Sequence, residues 1–331
     1  MRTIVTIKHW YNMKTGKLLI MSLLVAAFLG GCTNTEEPVT DGTAQAIEVN
    51  ARIAEATRAV ISGGYTNDLE VSFARLDNPG TTGAQWNTPV IDAVRTGGTG
   101  NTVLTFEPEQ TYLTEEGESV LIGYYPRKAL NSETANPVSV TYAITGEEDI
   151  MATEVQTGSL VDKFETFTFK HQLTQLQFKC VGSAGAIAKW TSVTSIKVKN
   201  TYTALKLSLD KSKGAQLTAT GEANQTLTVK NYPSEVSLPD VEKPSTGYLL
   251  LYPTVNWGTE DLPISLEVKG TYDGNAKTLN VAVSNISEGV KAGYSHLITL
   301  TFTEDGKIAV ETGIAEWQPG NGGSTTIIPG E

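Results

Sequence analysis

The sequence predicts an all-β protein made of two antiparallel β-sandwich domains. Short segments that alternate apolar and polar residues recur along the chain, as half-buried strands require. Gly, Pro and Asn cluster between these segments at spacings that are typical of sandwiches. The length of 331 residues exceeds what one ordinary core needs. With 40% hydrophobic and 18% charged residues, the composition is that of a globular protein.

Residues 1–31 have the features of a signal peptide. Lys14 and Lys17 form a positive segment, and residues 18–29 form an apolar run. The run is too short to span a bilayer comfortably. The sequence therefore predicts that the chain is exported and that this leader is removed.

The leader ends in Leu-Gly-Gly followed by Cys32. This motif resembles a lipobox, in which a cysteine after small residues is diacylated and becomes the new N-terminus. The alternative is an ordinary signal peptide with a chance cysteine. We expect Cys32 to be the lipidation site and residues 32–44 to form a flexible, polar tether.

The charge of the chain argues against nucleic acid as a partner. The formal net charge is −11. The leader contains basic but no acidic side chains, so the part that follows it is still more acidic. An acidic surface repels phosphate backbones and anionic headgroups.

The first domain is predicted over residues 45–155. Ile47, Val49, Ala51 and Ile53 alternate cleanly, which indicates a first strand with one buried face. No segment here has a sustained helical period. Further strands are predicted at 71–73, 90–94, 103–106, 120–124 and 138–144.

The second domain is predicted over residues 156–331. Its first strand signal changes parity at Thr174-Gln175, where a bulge or bend would be the simplest repair. Residues 184–190 form either a short helix or a loop, and Asp273-Gly274 favours a tight hairpin. Further strands are predicted at 196–198, 205–209, 227–229, 236–238, 249–252, 264–268, 279–283 and 294–302, and another begins at 308–310.

The sequence contains no constellation that indicates catalysis. It lacks H-E-x-x-H, C-x-x-C, P-loop and G-x-S-x-G motifs. His171 and His296 fall within strand alternations and are interpreted as packed strand residues, and Cys180 as a small buried apolar residue. We therefore expect no enzyme activity, no cofactor and no metal site.

Three short motifs carry a resemblance to a known family. The segment D-I-M-A-T at 149–153 is followed by a strand that contains F-x-H-Q-L-T-Q-L. A Thr-Arg-Ala site at 57–59 follows the first strand, and the C-terminal region has a K-A-G-Y lead-in at 291–294 and a final I-x-x-W at 314–317. This order of motifs resembles the fimbrillin-like family, lipoprotein precursors of the pilins that build type V pili. The resemblance implies transthyretin-like, Greek-key sandwiches.

The resemblance also implies how such a subunit assembles. In pilins of this family a trypsin-like protease cuts after a basic residue behind the first strand, and Arg58-Ala59 matches that position best, with Arg52 as the fallback. Arg58 could instead be an ordinary solvated loop residue. Removal of the first strand, with Ile47, Val49 and Ile53, would open a groove for a strand of another subunit.

The C-terminal end supplies the donor strand in polymerising members of the family. The resemblance thus assigns this role to Ile308, Val310 and Ile314, with Trp317 as an interface anchor. The alternative for Trp317 is that it covers the core of its own domain.

The resemblance, together with the lipobox, implies a fimbrial subunit or adhesin at the outer membrane and cell surface. Its partners would be other pilin subunits, the outer membrane through the lipid anchor, and a host or bacterial surface ligand. The competing class is a surface lipoprotein that never polymerises and binds glycans. In that class, exposed Trp86, Trp190 and Trp257 would stack on sugar rings.

Overall fold

The computed structural model describes residues 44–54, 66–87, 89–114, 116–239 and 247–317. Strands dominate these residues, and the one helix among them is short. The first strands are β1 Val49–Ile53, β2 Leu69–Asp77, β3 Ile91–Arg95, β4 Thr102–Glu107, β5 Ser119–Tyr125, β6 Val138–Ala143, β7 Met151–Ala152, β8 Gln156–Gly158 and β9 Phe167–His171. After β10 Thr174–Gly182 and the helix α1 Ala184–Lys189 come β11 Trp190–Thr201, β12 Ala204–Asp210, β13 Gly214–Ala219, β14 Gln225–Thr228, β15 Gly247–Leu251, β16 Ile264–Tyr272, β17 Asn275–Val283, β18 Ser295–Phe302 and β19 Ile308–Ile314. The all-β prediction is confirmed.

Seven strands close into a barrel in the order β2-β3-β4-β1-β9-β7-β5, because β5 pairs back onto β2. Neighbouring strands are antiparallel except β1 and β9, which are parallel. β8 continues the pairing of β5 beyond the short β7. This closed sheet stands where the sequence predicts a two-sheet sandwich. Closure leaves no free edge as long as every strand stays in place.

β5 shows why the barrel does not need a second sheet to cover its inside. All seven of its residues are buried. Leu121 and Tyr125 pack into the barrel interior, whereas Val120, Ile122 and Tyr124 pack against the three-stranded sheet β13-β12-β6. The barrel wall is therefore covered on both faces at this strand, which is why its sequence is a continuous apolar run rather than an alternation.

The rest of the chain forms a sandwich of two four-stranded sheets. One has the order β15-β10-β18-β19 and the other the order β14-β11-β16-β17. Leu176, Phe178 and Cys180 of β10 meet Ile196 and Val198 of β11 in the core between them. A sandwich is thus present in the region where the second one is predicted.

The parity change at the start of the second predicted domain has a different origin from a bulge. β9 ends at His171 and belongs to the barrel, while β10 begins at Thr174 and belongs to the sandwich. The chain crosses between two sheets at Gln172-Leu173, and each strand then keeps its own buried face. β8 and β9 also pair with strands that precede residue 155. The division into domains at that residue stays a prediction.

Several local predictions can be compared directly with the structure. The hairpin at Asp273-Gly274 joins β16 to β17, with φ of 47° and 76° at the two turn residues, as a type I′ turn requires. Residues 184–189 are the helix α1, capped by the Ser183 side chain. The strand predicted at 236–238 is wrong, because these residues form only an isolated bridge between Val181 and Ser237.

Candidate strand-exchange site

β1 lies in the barrel wall between β4 and β9, and its apolar residues face the interior. Ala51 is fully buried and Ile47, just before the strand, is 5% exposed. Val49 and Ile53 are half-buried and pack against the same core. The predicted alternation of Ile47, Val49, Ala51 and Ile53 is therefore present in the fold.

β1 is held by few backbone pairs. It pairs with β4 over residues 49–51 and with β9 over residues 51–53, three residues on each side. Single backbone bonds extend the attachment, from Ile47 N to Gln110 O at 2.8 Å and from Ala54 N to Phe169 O at 2.7 Å. By contrast, β2 and β5 pair over six residues. β1 has five residues, as β3 and β9 do, and it is thus one of the short strands of the barrel.

An aromatic core lies beneath β1. Phe73 packs edge-to-face against Phe106, Phe167 and Phe169, with ring centroids 5.2, 5.0 and 6.1 Å apart. These rings are buried, and Ala51 belongs to the same cluster. Loss of β1 would expose part of this core and leave the facing edges of β4 and β9 without a partner. That combination is a groove that another strand could fill.

Space is available on both flanks of β1. A cavity of about 890 Å³ lies between β1 and the segments 154–157 and 162–168. A second cavity, of about 560 Å³, is lined by residues of β1 and β4 and extends to Gln110. Open space therefore borders β1, and the loop before β9 lines part of it.

The predicted processing and lipidation residues are placed as follows. Cys32, Arg58 and Ala59 lie outside the described residues. The fallback residue Arg52 lies within β1, where its side chain is exposed and its Nε donates to Thr168 Oγ1 at 3.0 Å. Because the backbone at Arg52 is paired with β9, a protease could cut there only after the strand had left the sheet.

A buried arginine contacts β1 from inside the barrel. Arg95 is 1% exposed, and its Nε donates to Ala51 O at 3.3 Å. Its Nη2 donates to Gly98 O at 2.8 Å and to Gly100 O at 3.0 Å. Its Nη1 has no hydrogen-bond partner among the described residues, and none of their carboxylates forms an ion pair with the guanidinium. Burial lowers the pKa of Arg95.

Sequence reasoning missed Arg95, although a signal was present. Ile91, Ala93 and Arg95 share one parity of β3, and all three are buried. A charged residue on the buried parity of a short strand is unusual, since an uncompensated charge inside a core is costly. Such a residue points to a functional or positioning role more often than an exposed arginine does.

β19 is the edge strand of its sheet, because it pairs with β18 alone. Ile308 and Val310 are half-buried and pack against the sandwich core. Ile314 is 47% exposed. The predicted donor residues thus form a continuous edge strand, and the last of them is poorly covered by its own domain.

Trp317 follows β19 and packs on its own chain. Its ring stacks on that of His171 with centroids 4.1 Å apart, and it lies against the core between the barrel and the three-stranded sheet. His171 Nδ1 lies 2.8 Å from Asp149 Oδ2, with both side chains buried. In this structure Trp317 therefore covers an intramolecular core, which is formed mainly by the barrel and the three-stranded sheet rather than by the sandwich that contains β19.

The tryptophans of the glycan-binding alternative are not exposed. Trp86 and Trp190 are each 2% exposed and Trp257 is 6% exposed. Trp86 Nε1 donates to Asn136 Oδ1 at 3.3 Å, and Trp190 Nε1 donates to Thr303 O at 3.0 Å. The expectation that these rings stack on sugars is wrong, because each ring is packed into a core.

The remaining chemistry-bearing residues are buried in strands. Burial raises the pKa of the Cys180 thiol to about 12 and lowers the pKa of His296 to about 4. In the part of the chain that the structure describes, no three His, Cys, Asp or Glu side chains are grouped as a metal site would require. Within the same residues, no helix has the length and hydrophobicity to span a membrane.

Comparison with known proteins identifies the family. The fimbrillin-like family model matches residues 57–317. The chain belongs to the fimbrillin-like family. The match begins after β1, next to Arg58, and ends at Trp317. No curated protein matches the sequence.

Solved structures share this fold. A candidate cell adhesion protein from Bacteroides uniformis has a TM-score of 0.56 and 16% sequence identity, over 82% of this chain and 99% of its own. A candidate cell adhesion protein from Bacteroides ovatus has a TM-score of 0.54 and 17% identity, over 85% of this chain and 100% of its own. At these identities the likeness concerns the fold alone.

Proposed function

We propose that the protein is a fimbrial subunit or adhesin of the cell surface that assembles by protease-triggered strand exchange. The chain is exported as a lipoprotein, acylated at Cys32 and held at the outer membrane by residues 32–44. A protease cuts between Arg58 and Ala59 and thereby frees β1. The single observation that carries this proposal is the position of β1, a five-residue strand that completes an otherwise aromatic-lined barrel.

The physical logic of the exchange follows from the edges that β1 covers. Without it, β4 and β9 present unpaired N–H and C=O groups next to an apolar groove. A strand that enters the groove pairs with both edges, and its alternate side chains fill the core. β19 of another subunit, with Ile308, Val310 and Ile314, is our choice of donor because it is an edge strand in its own sheet.

Family membership supports a role in fimbriae or adhesion, and the two structural neighbours share the fold. The alternative, a surface lipoprotein that binds glycans and never polymerises, loses support because Trp86, Trp190 and Trp257 are buried. Enzyme activity has no support from the described residues, whose histidines are packed within strands. Partners in this proposal are further copies or related pilin subunits, with a surface ligand at the tip of the fibre.

The proposal is tested with the mature-length chain beginning at residue 33 and an arginine-specific protease. We expect cleavage after Arg58 to convert the monomer into a ladder of oligomers that survives mild detergent. Arg58→Gln should leave the chain intact and monomeric under the same treatment. A wild-type chain that is cut after Arg58 and stays monomeric would refute strand exchange between copies.

A further inference from the structure

Two segments of the chain share a sequence pattern. Residues 47–55 are IEVNARIAE and residues 308–316 are IAVETGIAE. The first segment contains β1 and the second contains β19. Five of the nine positions are identical: Ile47 and Ile308, Val49 and Val310, Ile53 and Ile314, Ala54 and Ala315, and Glu55 and Glu316.

The shared positions fall on the face that matters for packing. In β1 the side chains at 47, 49, 51 and 53 face the barrel core. The corresponding side chains of β19 are those at 308, 310, 312 and 314. These two sets differ at one position, where Thr312 corresponds to Ala51. β19 therefore carries the core-facing pattern of the strand that it would replace.

The differing position is the one that Arg95 contacts. Arg95 Nε donates to the carbonyl of Ala51, while Arg95 Nη1 is buried without a partner. An alanine side chain offers no acceptor, whereas the hydroxyl oxygen of a threonine does. A buried donor that lacks an acceptor is unfavourable, and a hydrogen bond from a charged donor is among the stronger ones.

We propose that β19 of a second copy replaces β1 with the same polarity and in one-to-one register, so that Thr312 takes the place of Ala51 and accepts a hydrogen bond from Arg95 Nη1. This inference rests on the proposed function and adds the polarity, the register and a residue that selects them. Arg95 is thus a specificity-determining residue of the groove.

The opposite polarity fits the groove less well. It would place Val310 in the position of Ala51, next to the guanidinium, and Thr312 in the position of Val49. Arg95 Nη1 would then stay without an acceptor. The transfer of β19 to the groove would also bury more of Ile314. This side chain is 47% exposed in its own sheet, whereas its counterpart Ile53 packs on the barrel core.

The transfer exchanges one hydrogen bond of Thr312 for another. In the present structure Thr312 Oγ1 donates to Asn285 O at 2.9 Å. In the groove its oxygen would accept from Arg95 while its methyl group faces the apolar core. The side chain is thus satisfied in both places.

A competition experiment tests the register. The mature-length chain is cut after Arg58, and a fluorescent peptide of residues 307–317 is bound to the freed groove. Unlabelled peptides then compete: wild type, Thr312→Val, and a composition-matched peptide with Val310→Thr and Thr312→Val together. We expect the Thr312→Val peptide to require roughly a tenfold to hundredfold higher concentration than wild type, and the swapped peptide at least as much.

Each outcome has one meaning. A weakened Thr312→Val peptide with an equally weak swapped peptide supports the proposal. A chain that assembles after cleavage yet binds the wild-type and Thr312→Val peptides equally would overturn the register while leaving strand exchange intact. A swapped peptide that competes better than wild type would show the opposite polarity, and one that competes equally well would show that Arg95 does not select the register; either result would overturn the proposal. Cut chains that neither assemble nor bind any peptide would refute the proposed function, and this inference with it.

Discussion

A disulfide that fastens β1 to β4 should block assembly without blocking cleavage. Asn50 and Val103 are directly opposite each other in the antiparallel pair, and both side chains are exposed, Val103 by 58%. Directly opposite residues have Cβ atoms about 4.5–5.5 Å apart, so a small adjustment brings two cysteines within bonding distance. Asn50→Cys with Val103→Cys therefore joins the strands on their outer face and leaves the core unchanged.

The size of the effect can be estimated from the chain that the bond encloses. The loop between the two positions has roughly 50 residues, for which chain entropy gives about 4 kcal/mol of added stability. More important for function, β1 stays covalently attached after the chain is cut at Arg58. An incoming strand then has no vacant edge on β4 or β9 to pair with, and assembly should fall to the level of the uncut chain.

The assay compares oligomer ladders after cleavage, with and without reductant. A matched control is Glu70→Cys with Val94→Cys, which joins directly opposite residues of β2 and β3 and does not hold β1. The native thiol of Cys180 is buried with its pKa raised to about 12, so it should not interfere. We expect the control to assemble and the locked chain to assemble only after reduction. If the oxidised locked chain formed as many oligomers as the control, the proposal that β1 must leave the barrel before assembly would be refuted.

Three further predictions concern Trp317, His296 and Cys32. Trp317→Ala removes the ring that stacks on His171 and should cost about 2 kcal/mol of stability. Calorimetry should show this as a fall in Tm of several degrees. A variant that keeps the wild-type Tm but no longer forms oligomers would instead favour an intermolecular anchor. Burial lowers the pKa of His296 from 6.5 to about 4. The unfolded chain therefore binds a proton between these pH values that the folded chain does not, and the free energy of unfolding should fall by about 3 kcal/mol as the pH is lowered through this window. His296→Gln should remove that part of the loss in urea unfolding curves, and an unchanged pH slope would contradict it. Cys32→Ser should release the precursor from membranes into the soluble fraction, and unchanged membrane association would contradict lipidation at this residue.

The elements of the fold were predictable where one face of a strand is buried. The alternation at Ile47, Val49, Ala51 and Ile53 predicts both the strand and its inward face. The consecutive residues Asp273 and Gly274 predict the hairpin between β16 and β17, because both tolerate positive φ. Both signals depend only on residues that are close together in the sequence, so they can be recognised without knowledge of the fold.

The arrangement of the sheets was not predictable in the same way. Barrel closure depends on the pairing of β2 with β5, a contact between segments that are distant in sequence. The parity change near Thr174 has the same signature whether the chain forms a bulge or crosses to another sheet. β13 escaped prediction because it is an edge strand whose side chains are mostly exposed or half-buried.

The candidate site divides in a similar way. The proposed exchange of β1 for β19 follows from alternation together with family resemblance, whereas the burial of Trp86, Trp190 and Trp257 required the structure. Arg95 is the clearest case, since its role depends on the one nitrogen that finds no partner. No sequence pattern reports an unsatisfied donor, because satisfaction depends on what surrounds the side chain.

The central claim is that β1 is removed before the subunit functions. The most direct test is the N-terminus of the protein released from the cell surface, determined by intact mass and N-terminal sequencing. We expect a chain that begins at Ala59, with residues 32–58 gone. A mature chain that still begins at acylated Cys32 would contradict it, because β1 would then remain in the barrel and the groove would never open.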